Sequence, residues 1–206
     1  MDIKTLSSQI KTKQLQAEIT PDIAKQLLEE GNKRFVENNM INRSHKSFIL
    51  ETINEQYPFA VIFSCIDSRV VPEFIFDQGI GDIFIVRNAG NVVNQDVVGS
   101  VEYSCAVVGA KLVVVLAHTS CGAVNSAVNN VELENLTPLL RKIKSLEKDV
   151  SKDTANFADE LAKVNAIHSV NELLKNSKIL KELSDKKEIK IIPAIYQHST
   201  GKVSWL

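Results

Sequence analysis

The sequence contains few cysteines and no surplus of either charge, and both shortages narrow the classes of protein to which it can belong. Three cysteines are too few, and odd in number, for a disulfide framework, so the thiols are free to bind a metal or to take part in chemistry. Lys and Arg together number 24 against 25 Asp and Glu, so the composition implies no basic surface for nucleic acid and no polybasic anchor for a membrane. The expected partners are therefore small molecules or further copies of this chain.

Long hydrophobic segments are also missing from the sequence. No stretch approaches the roughly 18 unbroken apolar residues that span a bilayer, and residues 1–13 lack the apolar segment of a secretory signal. We therefore expect a cytoplasmic protein without a membrane anchor. At 206 residues the chain is predicted to form one domain, 1–206, which is long enough to bury a core without disulfides.

Short apolar runs alternate with segments of helical spacing along the chain. The runs predicted to be strands are 59–64, 83–86, 112–116 and 189–196. The segments predicted to be helices include 72–76, 97–108, 121–130, 138–150 and 155–183. This alternation predicts an α/β fold with a central parallel four-stranded sheet flanked by helices. A tight turn at Ser199, Thr200 and Gly201 predicts a C-terminal antiparallel edge strand over 202–206.

The N-terminal quarter of the chain carries weaker signals. Residues 1–19 are polar with little periodicity, so we expect an arm that only a partner surface would order. Thr20 and Pro21 are typical of a helix start, and that helix is predicted to be loosened near Gly31. Residues 40–57 are predicted to be a polar connection without regular structure.

Residues that can bind a metal follow two of the predicted strands. Cys65 follows the first strand, His118 follows the third, and Cys121 comes three residues after His118. Ligands of open α/β sheets bind at the carboxyl ends of the strands, so Cys65 and His118 can meet there. Two thiolates and an imidazole form a three-ligand zinc set with a fourth position left over. The alternative for each cysteine is a small buried hydrophobic residue, which is the interpretation we keep for Cys105.

Two covalent alternatives can be compared with the same residues. A cysteine-dependent phosphatase requires Arg six residues after its nucleophile, and Val71 stands at that position. The phosphatase is therefore excluded. A redox pair of Cys65 and Cys121 is compatible with the sequence, but it leaves the polar residues around these cysteines unexplained.

Three motifs together carry a resemblance to a known family. The motifs are Cys65-x-Asp67-Ser68-Arg69, Arg87-Asn88-Ala89-Gly90-Asn91 and His118-x-x-Cys121-Gly122, in that order. With them the chain resembles the β-class carbonic anhydrases from Leu28 to the C-terminal Ser-Thr-Gly-Lys-Val, although Ala117 replaces the family's usual Gly. The resemblance implies reversible hydration of carbon dioxide to bicarbonate and a proton. It also implies one Zn²⁺ per subunit, an N-terminal helical arm, and a homodimer or homotetramer.

The resemblance assigns roles to individual residues. It implies that Cys65, His118 and Cys121 hold the zinc and that Asp67 and Arg69 form the catalytic pair. The implied substrate-binding residues are Gln56, Phe84, Ala89, Tyr103 and Gly122. Of these, Gln56 is expected to reach the pocket of the neighbouring subunit.

The charges of these residues lead to expectations about mechanism. Two thiolates cancel the formal charge of zinc, so hydroxide should form on it less readily than in three-histidine sites, and activity should rise above neutral pH. Ionised Asp67 can only accept hydrogen bonds, so it would accept that of the hydroxide while Arg69 fixes the carboxylate. Asp67 could instead bind the zinc and close the site. Relatives that close it through a bicarbonate pocket carry Trp where Ile62 stands, so we expect an open site, although the matching Arg87 is present.

Other functions fit part of the same pattern. The same fold and metal could hydrolyse carbon disulfide or carbonyl sulfide, as a few relatives of the family do. A non-catalytic zinc-stabilised module would keep Asp67 on the metal permanently, and Asp67→Ala would then hardly change any rate. His45, His168 and His198 titrate near neutral pH, but the sequence singles out none of them for proton export.

Overall fold

The computed structural model describes residues 2–151 and 153–206, and a five-stranded sheet lies at its centre. The strands are β1 (Ala60–Cys65), β2 (Ile83–Asn88), β3 (Leu112–His118), β4 (Lys190–Tyr196) and β5 (Val203–Trp205). Their order is β2-β1-β3-β4-β5, with β1 to β4 parallel and β5 antiparallel to β4. The predicted α/β fold class, with four parallel strands and an antiparallel edge strand, is thereby confirmed.

Strands β1 and β3 lie in the middle of the sheet and position the site. Every residue of both strands is buried, which explains why their sequences are continuous apolar runs without alternation. The chain goes from β1 to β2 on one side and later returns to β3 on the other side of β1. The strand order therefore reverses at β1, and the crevice for a ligand lies at the carboxyl ends of β1 and β3.

Helices cover both faces of the sheet. They are α1 (Ile3–Ser8), α2 (Lys13–Glu18), α3 (Pro21–Val36), α4 (His45–Glu51), α5 (Pro72–Ile75), α6 (Gln95–Glu102), α7 (Gly122–Val128), α8 (Leu136–Lys144), α9 (Phe157–Asn176) and α10 (Lys178–Asp185). On one face Val61 and Phe63 of β1 pack in a core with α6 to α10, and on the other face Ile62 packs in a core with α1, α3 and α5. No helix among the described residues is long and apolar enough to cross a membrane.

The N-terminal segment packs on its own chain, so the prediction of a detached arm over residues 1–19 was wrong. Leu6 and Ile19 are 2% and 1% exposed and belong to the core shared with α3. Lys11 forms a buried ion pair with Asp82, with Nζ 3.0 Å from Oδ1. The segment has few apolar residues and two short helices, so its sequence lacks a periodic pattern although these contacts order it.

Two further predictions near the N-terminus are corrected. Helix α3 runs without a break through Gly31. A Cβ at this position would lie 1.8 Å from the carbonyl oxygen of Phe76. Glycine is thus required for a close approach rather than for a kink. Residues 40–57 contain helix α4, which Ser44 caps and which buries Phe48.

Of two long predicted helices, one is continuous and one is divided. Residues 97–108 are helical and end at Gly109, which has a φ of 97°, as predicted, although their last part, Tyr103–Val108, is π-helical. Residues 155–183 divide at Ser177, whose hydroxyl accepts a hydrogen bond from the backbone of Leu180 and so begins α10. Serine at this position favours a new helix start over continuation of α9.

Candidate metal and active site

The three predicted metal ligands lie together at the carboxyl ends of β1 and β3. Cys65 ends β1, His118 ends β3, and Cys121 stands directly before α7. One donor atom of each lies within 4.8 Å of the other two, and the two sulfur atoms are 4.0 Å apart. Zn–S bonds of about 2.3 Å in a tetrahedral site would place two sulfurs about 3.8 Å apart, so the observed spacing fits a zinc ion.

The imidazole of His118 is oriented as a metal ligand requires. Its Nδ1 lies 3.0 Å from the carbonyl oxygen of Thr119, which can only accept a hydrogen bond. Nδ1 therefore carries the proton, and Nε2 offers a lone pair. This Nε2 is buried and has no hydrogen-bond partner among the described residues. Because an unpaired buried nitrogen is costly, coordination of a metal would account for its orientation.

The two thiols of the site influence each other's ionisation. A hydrogen bond from Cys121 lowers the pKa of Cys65 to about 4, assisted by the backbone N–H of Gly90 and opposed by burial. The same contact with the Cys65 sulfur, together with burial, raises the pKa of Cys121. One proton is thus shared between two sulfurs. A cation in its place would allow both to be thiolates, which is the form that binds metals.

Asp67 and Arg69 form a two-pronged ion pair beside these ligands. Nε and Nη2 of Arg69 donate to Oδ1 and Oδ2 of Asp67 at 2.9 and 2.8 Å, and the backbone N–H of Arg69 also donates to Oδ1. The guanidinium holds the pKa of Asp67 well below its usual range, and the carboxylate raises the pKa of Arg69. Oδ2 of Asp67 lies 3.9 Å from Nε2 of His118. An ionised carboxylate therefore faces the metal donors.

The second sequence motif supports the site through the backbone. Arg87, near the end of β2, donates from Nε to the carbonyl of Cys65 at 2.9 Å and from Nη2 to that of Asp67 at 2.7 Å. Gly90 has a φ of 66°, and a Cβ there would lie 2.6 Å from Cδ1 of Ile143. Its N–H is thereby free to approach the Cys65 sulfur at 3.2 Å. The motif holds in place the turn that carries Cys65 and Asp67.

The predicted substrate-binding residues lie on several different elements of the fold. Phe84 of β2 and Tyr103 of the π-helical segment form an edge-on aromatic pair with ring centroids 6.3 Å apart. Ala89 begins the short 3₁₀ turn after β2, and Gly122 is the first residue of α7. Gln56 is exposed in the loop before β1. The structure describes one chain, so a role for Gln56 in a partner subunit stays a prediction.

His198 is a site residue that the sequence did not single out. Its ring lies edge-on to His118 with centroids 5.0 Å apart, and its Nδ1 lies 2.8 Å from the carbonyl oxygen of Thr119. Burial lowers the pKa of His198. Asp67, His118 and His198 also offer donor atoms within 4.8 Å of one another. His198 could have been identified from the register of the sheet, because Tyr196 of β4 pairs with His118 of β3 and His198 follows Tyr196 in the chain.

Comparisons with known sequences find a matching family. The family model described as carbonic anhydrase matches residues 60–203. Carbonic anhydrase 2 of Mycobacterium tuberculosis is 48% identical over 112 residues, which cover 52% of this chain and 53% of that protein. The chain thus spans about half the length of such curated relatives. The carbonic anhydrase of Helicobacter pylori is 30% identical over 169 residues, which cover 72% of this chain and 76% of that protein.

Solved structures share the fold. A β-carbonic anhydrase of Aspergillus fumigatus superposes with a TM-score of 0.72 at 24% identity, covering 79% of this chain and 81% of that one. A structure described under two tetrameric β-carbonic anhydrases of Sordaria macrospora superposes with a TM-score of 0.71 at 20% identity. The superposition covers 90% of this chain and 94% of that one. At these identities the likeness supports the fold alone.

Proposed function

Because this chain belongs to the β-class carbonic anhydrase family, we propose that it catalyses the reversible hydration of carbon dioxide to bicarbonate and a proton at a zinc ion. The observation that carries the proposal is the Arg69-bound carboxylate of Asp67, whose Oδ2 lies 3.9 Å from the unpaired Nε2 of His118. Three ligands alone could serve a structural metal. A carboxylate held ionised beside them supplies a group that chemistry would use.

Cys65, His118 and Cys121 would hold the zinc ion. Two thiolates and one imidazole are donors that zinc favours, and three protein ligands leave a fourth position for a reactant. The hydrogen bond from Nδ1 of His118 to the Thr119 carbonyl fixes the ring in the required orientation. When bound, the zinc ion supplies a water-derived nucleophile close to neutral pH.

Asp67 would orient that nucleophile. Each of its carboxylate oxygens accepts one side-chain hydrogen of Arg69 and keeps further acceptor capacity. Oδ2, the oxygen that approaches His118, can accept the hydrogen of the nucleophile and so leave a lone pair directed at carbon dioxide. In the reverse reaction the same oxygen accepts a hydrogen bond from the hydroxyl of bicarbonate.

The hydrogen bonds of Asp67 favour an open site at neutral pH. An Asp67 oxygen bound to the metal would occupy the reactant's position and would have to weaken its bonds to Arg69. All three bonds from Arg69 are present, and Ile62 is buried in β1 where a bicarbonate pocket would need Trp. A crystal structure of the zinc-loaded protein at neutral pH with Asp67 on the metal would contradict this inference.

We further infer that the chain works as a homodimer or homotetramer in the cytoplasm. Strand β2 lies at an edge of the sheet. The exposed apolar residues Phe74 and Ile80 line a pocket that extends to Ile83, the first residue of β2. A second copy on this edge would bring its Gln56 towards the predicted substrate-binding residues Phe84, Ala89, Tyr103 and Gly122. Three free cysteines suit a reducing compartment. Light scattering of the purified protein tests the assembly.

The function is tested by metal analysis combined with gas hydration and hydrolysis assays. Protein purified without chelators should contain one zinc per chain, and stopped-flow hydration of carbon dioxide should accelerate as the pH rises above neutral. Asp67→Asn should keep the zinc and lose about 100-fold in kcat, because a neutral amide with a single oxygen acceptor replaces the ionised carboxylate that orients the nucleophile. Turnover of carbon disulfide or carbonyl sulfide alone would assign the rival hydrolase. Zinc without turnover of any of the three gases would assign a non-catalytic module.

A further inference from the structure

We propose that Asp159 is a positioning residue for this site and that it acts through the backbone of Ser120. Asp159 lies in the first turn of α9, and its Oδ1 accepts a hydrogen bond from the Ser120 N–H at 2.8 Å. The inference rests on the proposed function, because it concerns the same metal ligands and catalytic pair. It adds a residue on an outer helix to the set that determines their geometry.

Ser120 needs support because its backbone adopts a conformation that serine rarely takes. Its φ is 53°, in the left-handed region. His118 ends β3 and Cys121 immediately precedes α7, so only two residues are available to turn the chain and return the Cys121 sulfur to His118. A strained backbone of this kind persists where surrounding contacts fix it. The hydrogen bond from the Ser120 N–H to Asp159 is such a contact.

The other side of Ser120 is connected to the catalytic pair. The carbonyl oxygen of Ser120 accepts a hydrogen bond from Nη2 of Arg69 at 3.3 Å, and the same Nη2 donates to Oδ2 of Asp67. Cys121 follows Ser120 in the chain. A rotation of the Ser120 backbone would therefore displace one metal-binding sulfur and one acceptor of the catalytic arginine together. Asp159 opposes that rotation from the outside.

A purely structural role for Asp159 can be separated from this one. A carboxylate in the first turn of a helix also stabilises the helix through its dipole. Glu160 is in the same turn of α9, but its side chain pairs with Lys163, whereas the hydrogen bond to the Ser120 N–H is made by Asp159. Glu160→Ala thus removes a comparable helix charge without touching the loop, and it is the matched control.

The first experiment compares Asp159→Ala, Asp159→Asn and Glu160→Ala in the full chain. Zinc affinity is measured by chelator competition, and the geometry of the site by the absorption spectrum of the Co²⁺-substituted protein. Asp159→Ala should weaken zinc binding about 10-fold, the scale seen when groups that orient ligands are removed, and should alter the cobalt spectrum. Asp159→Asn keeps an oxygen acceptor, so it should stay within about 3-fold of the parent. Glu160→Ala should match the parent in both measurements.

The second experiment removes the strain instead of the support. Glycine adopts positive φ values without steric cost, so Ser120→Gly added to Asp159→Ala should recover most of the lost zinc affinity. Parent-like affinity and spectrum in Asp159→Ala, an equal loss in Glu160→Ala, or no recovery in the double variant would each overturn the proposal. If Asp159→Ala does not fold, a folded double variant with parent-like affinity supports the proposal and an unfolded one refutes it. Failure of the parent to hydrate carbon dioxide would refute the proposed function and leave these metal measurements valid.

Discussion

Replacement of Arg69 by Gln tests how the catalytic pair works. The guanidinium makes two side-chain hydrogen bonds to Asp67, at 2.9 and 2.8 Å, and it keeps the pKa of the carboxyl well below its usual range. Without Arg69 the pKa of Asp67 should rise towards about 3.9, the ordinary value for aspartate. That value is still far below neutral pH, so Asp67 stays ionised in the variant. The loss of activity must then come from orientation.

The expected size of the loss follows from the exposure of the pair. Hydrogen bonds to charged groups contribute about 1.5–3 kcal/mol each when buried. The side chain of Arg69 is 53% exposed while that of Asp67 is 13% exposed, so solvent screening reduces the sum to about 1–2 kcal/mol. Since about 1.4 kcal/mol corresponds to a factor of ten in rate, kcat should fall roughly 5- to 30-fold.

The assay is stopped-flow hydration of carbon dioxide between pH 7 and pH 9, with the zinc content of each sample measured. The ratio of the parent kcat to the Arg69→Gln kcat should be constant over this range, because Asp67 is ionised throughout in both proteins. Arg69→Lys keeps the positive charge without the planar fork, so it should lose nearly as much as Arg69→Gln. A ratio that falls to one at alkaline pH would show that protonation of Asp67 causes the loss of activity. A variant with the parent's kcat would refute the orienting role altogether.

Three further predictions concern packing, metal and assembly. In Lys11→Met the buried carboxylate of Asp82 loses its ion-pair partner. The free energy of unfolding should therefore fall by about 3–5 kcal/mol, and the midpoint of thermal unfolding by roughly 6–20 °C. Burial raises the pKa of Asp82, so the folded variant binds a proton more readily than the unfolded chain does. The loss of stability relative to the parent should therefore be smaller at pH 5 than at pH 7, which calorimetry can measure. Cys65→Ser should lose most bound zinc by metal analysis yet keep its far-ultraviolet dichroism, whereas an unfolded variant would contradict a preformed site. Gln56→Ala and Asp67→Asn chains mixed in equal amounts, unfolded and refolded together, should regain activity that neither variant has alone. If the mixture is no more active than the separate variants, Gln56 does not contribute to a site shared between subunits.

The convergence of the metal ligands could be predicted because the sequence shows clearly where the two buried strands end. Fully buried parallel strands appear as continuous apolar runs, and both β1 and β3 are such runs. The first polar residues after them necessarily lie at one edge of the sheet. For this reason Cys65, Asp67 and His118 could be placed near one another before any distance was known. The prediction for Cys105 also holds, since it is buried in the core and burial raises its pKa to about 12.

The rest could not be predicted because it depends on contacts between distant segments. The order of residues 2–19 comes from single buried residues such as Leu6 and Lys11, whose partners are far away in the sequence. His198 is brought to His118 by the register of β4, and Asp159 reaches Ser120 only because α9 packs against β3 and β4. Neither residue belongs to a local motif. Periodicity and capping report on neighbours in the chain and carry no information about such pairs.

The supports of the site come from different elements, so its geometry depends on the fold as a whole. Arg87 at the end of β2 holds the carbonyls of Cys65 and Asp67. Thr119 at the end of β3 fixes the ring of His118 through its carbonyl, and α9 holds the turn before Cys121. Each ligand is therefore positioned by contacts that other parts of the chain make with the backbone around it. The more of this order the fold supplies, the less binding energy of a metal is consumed in ordering the ligands.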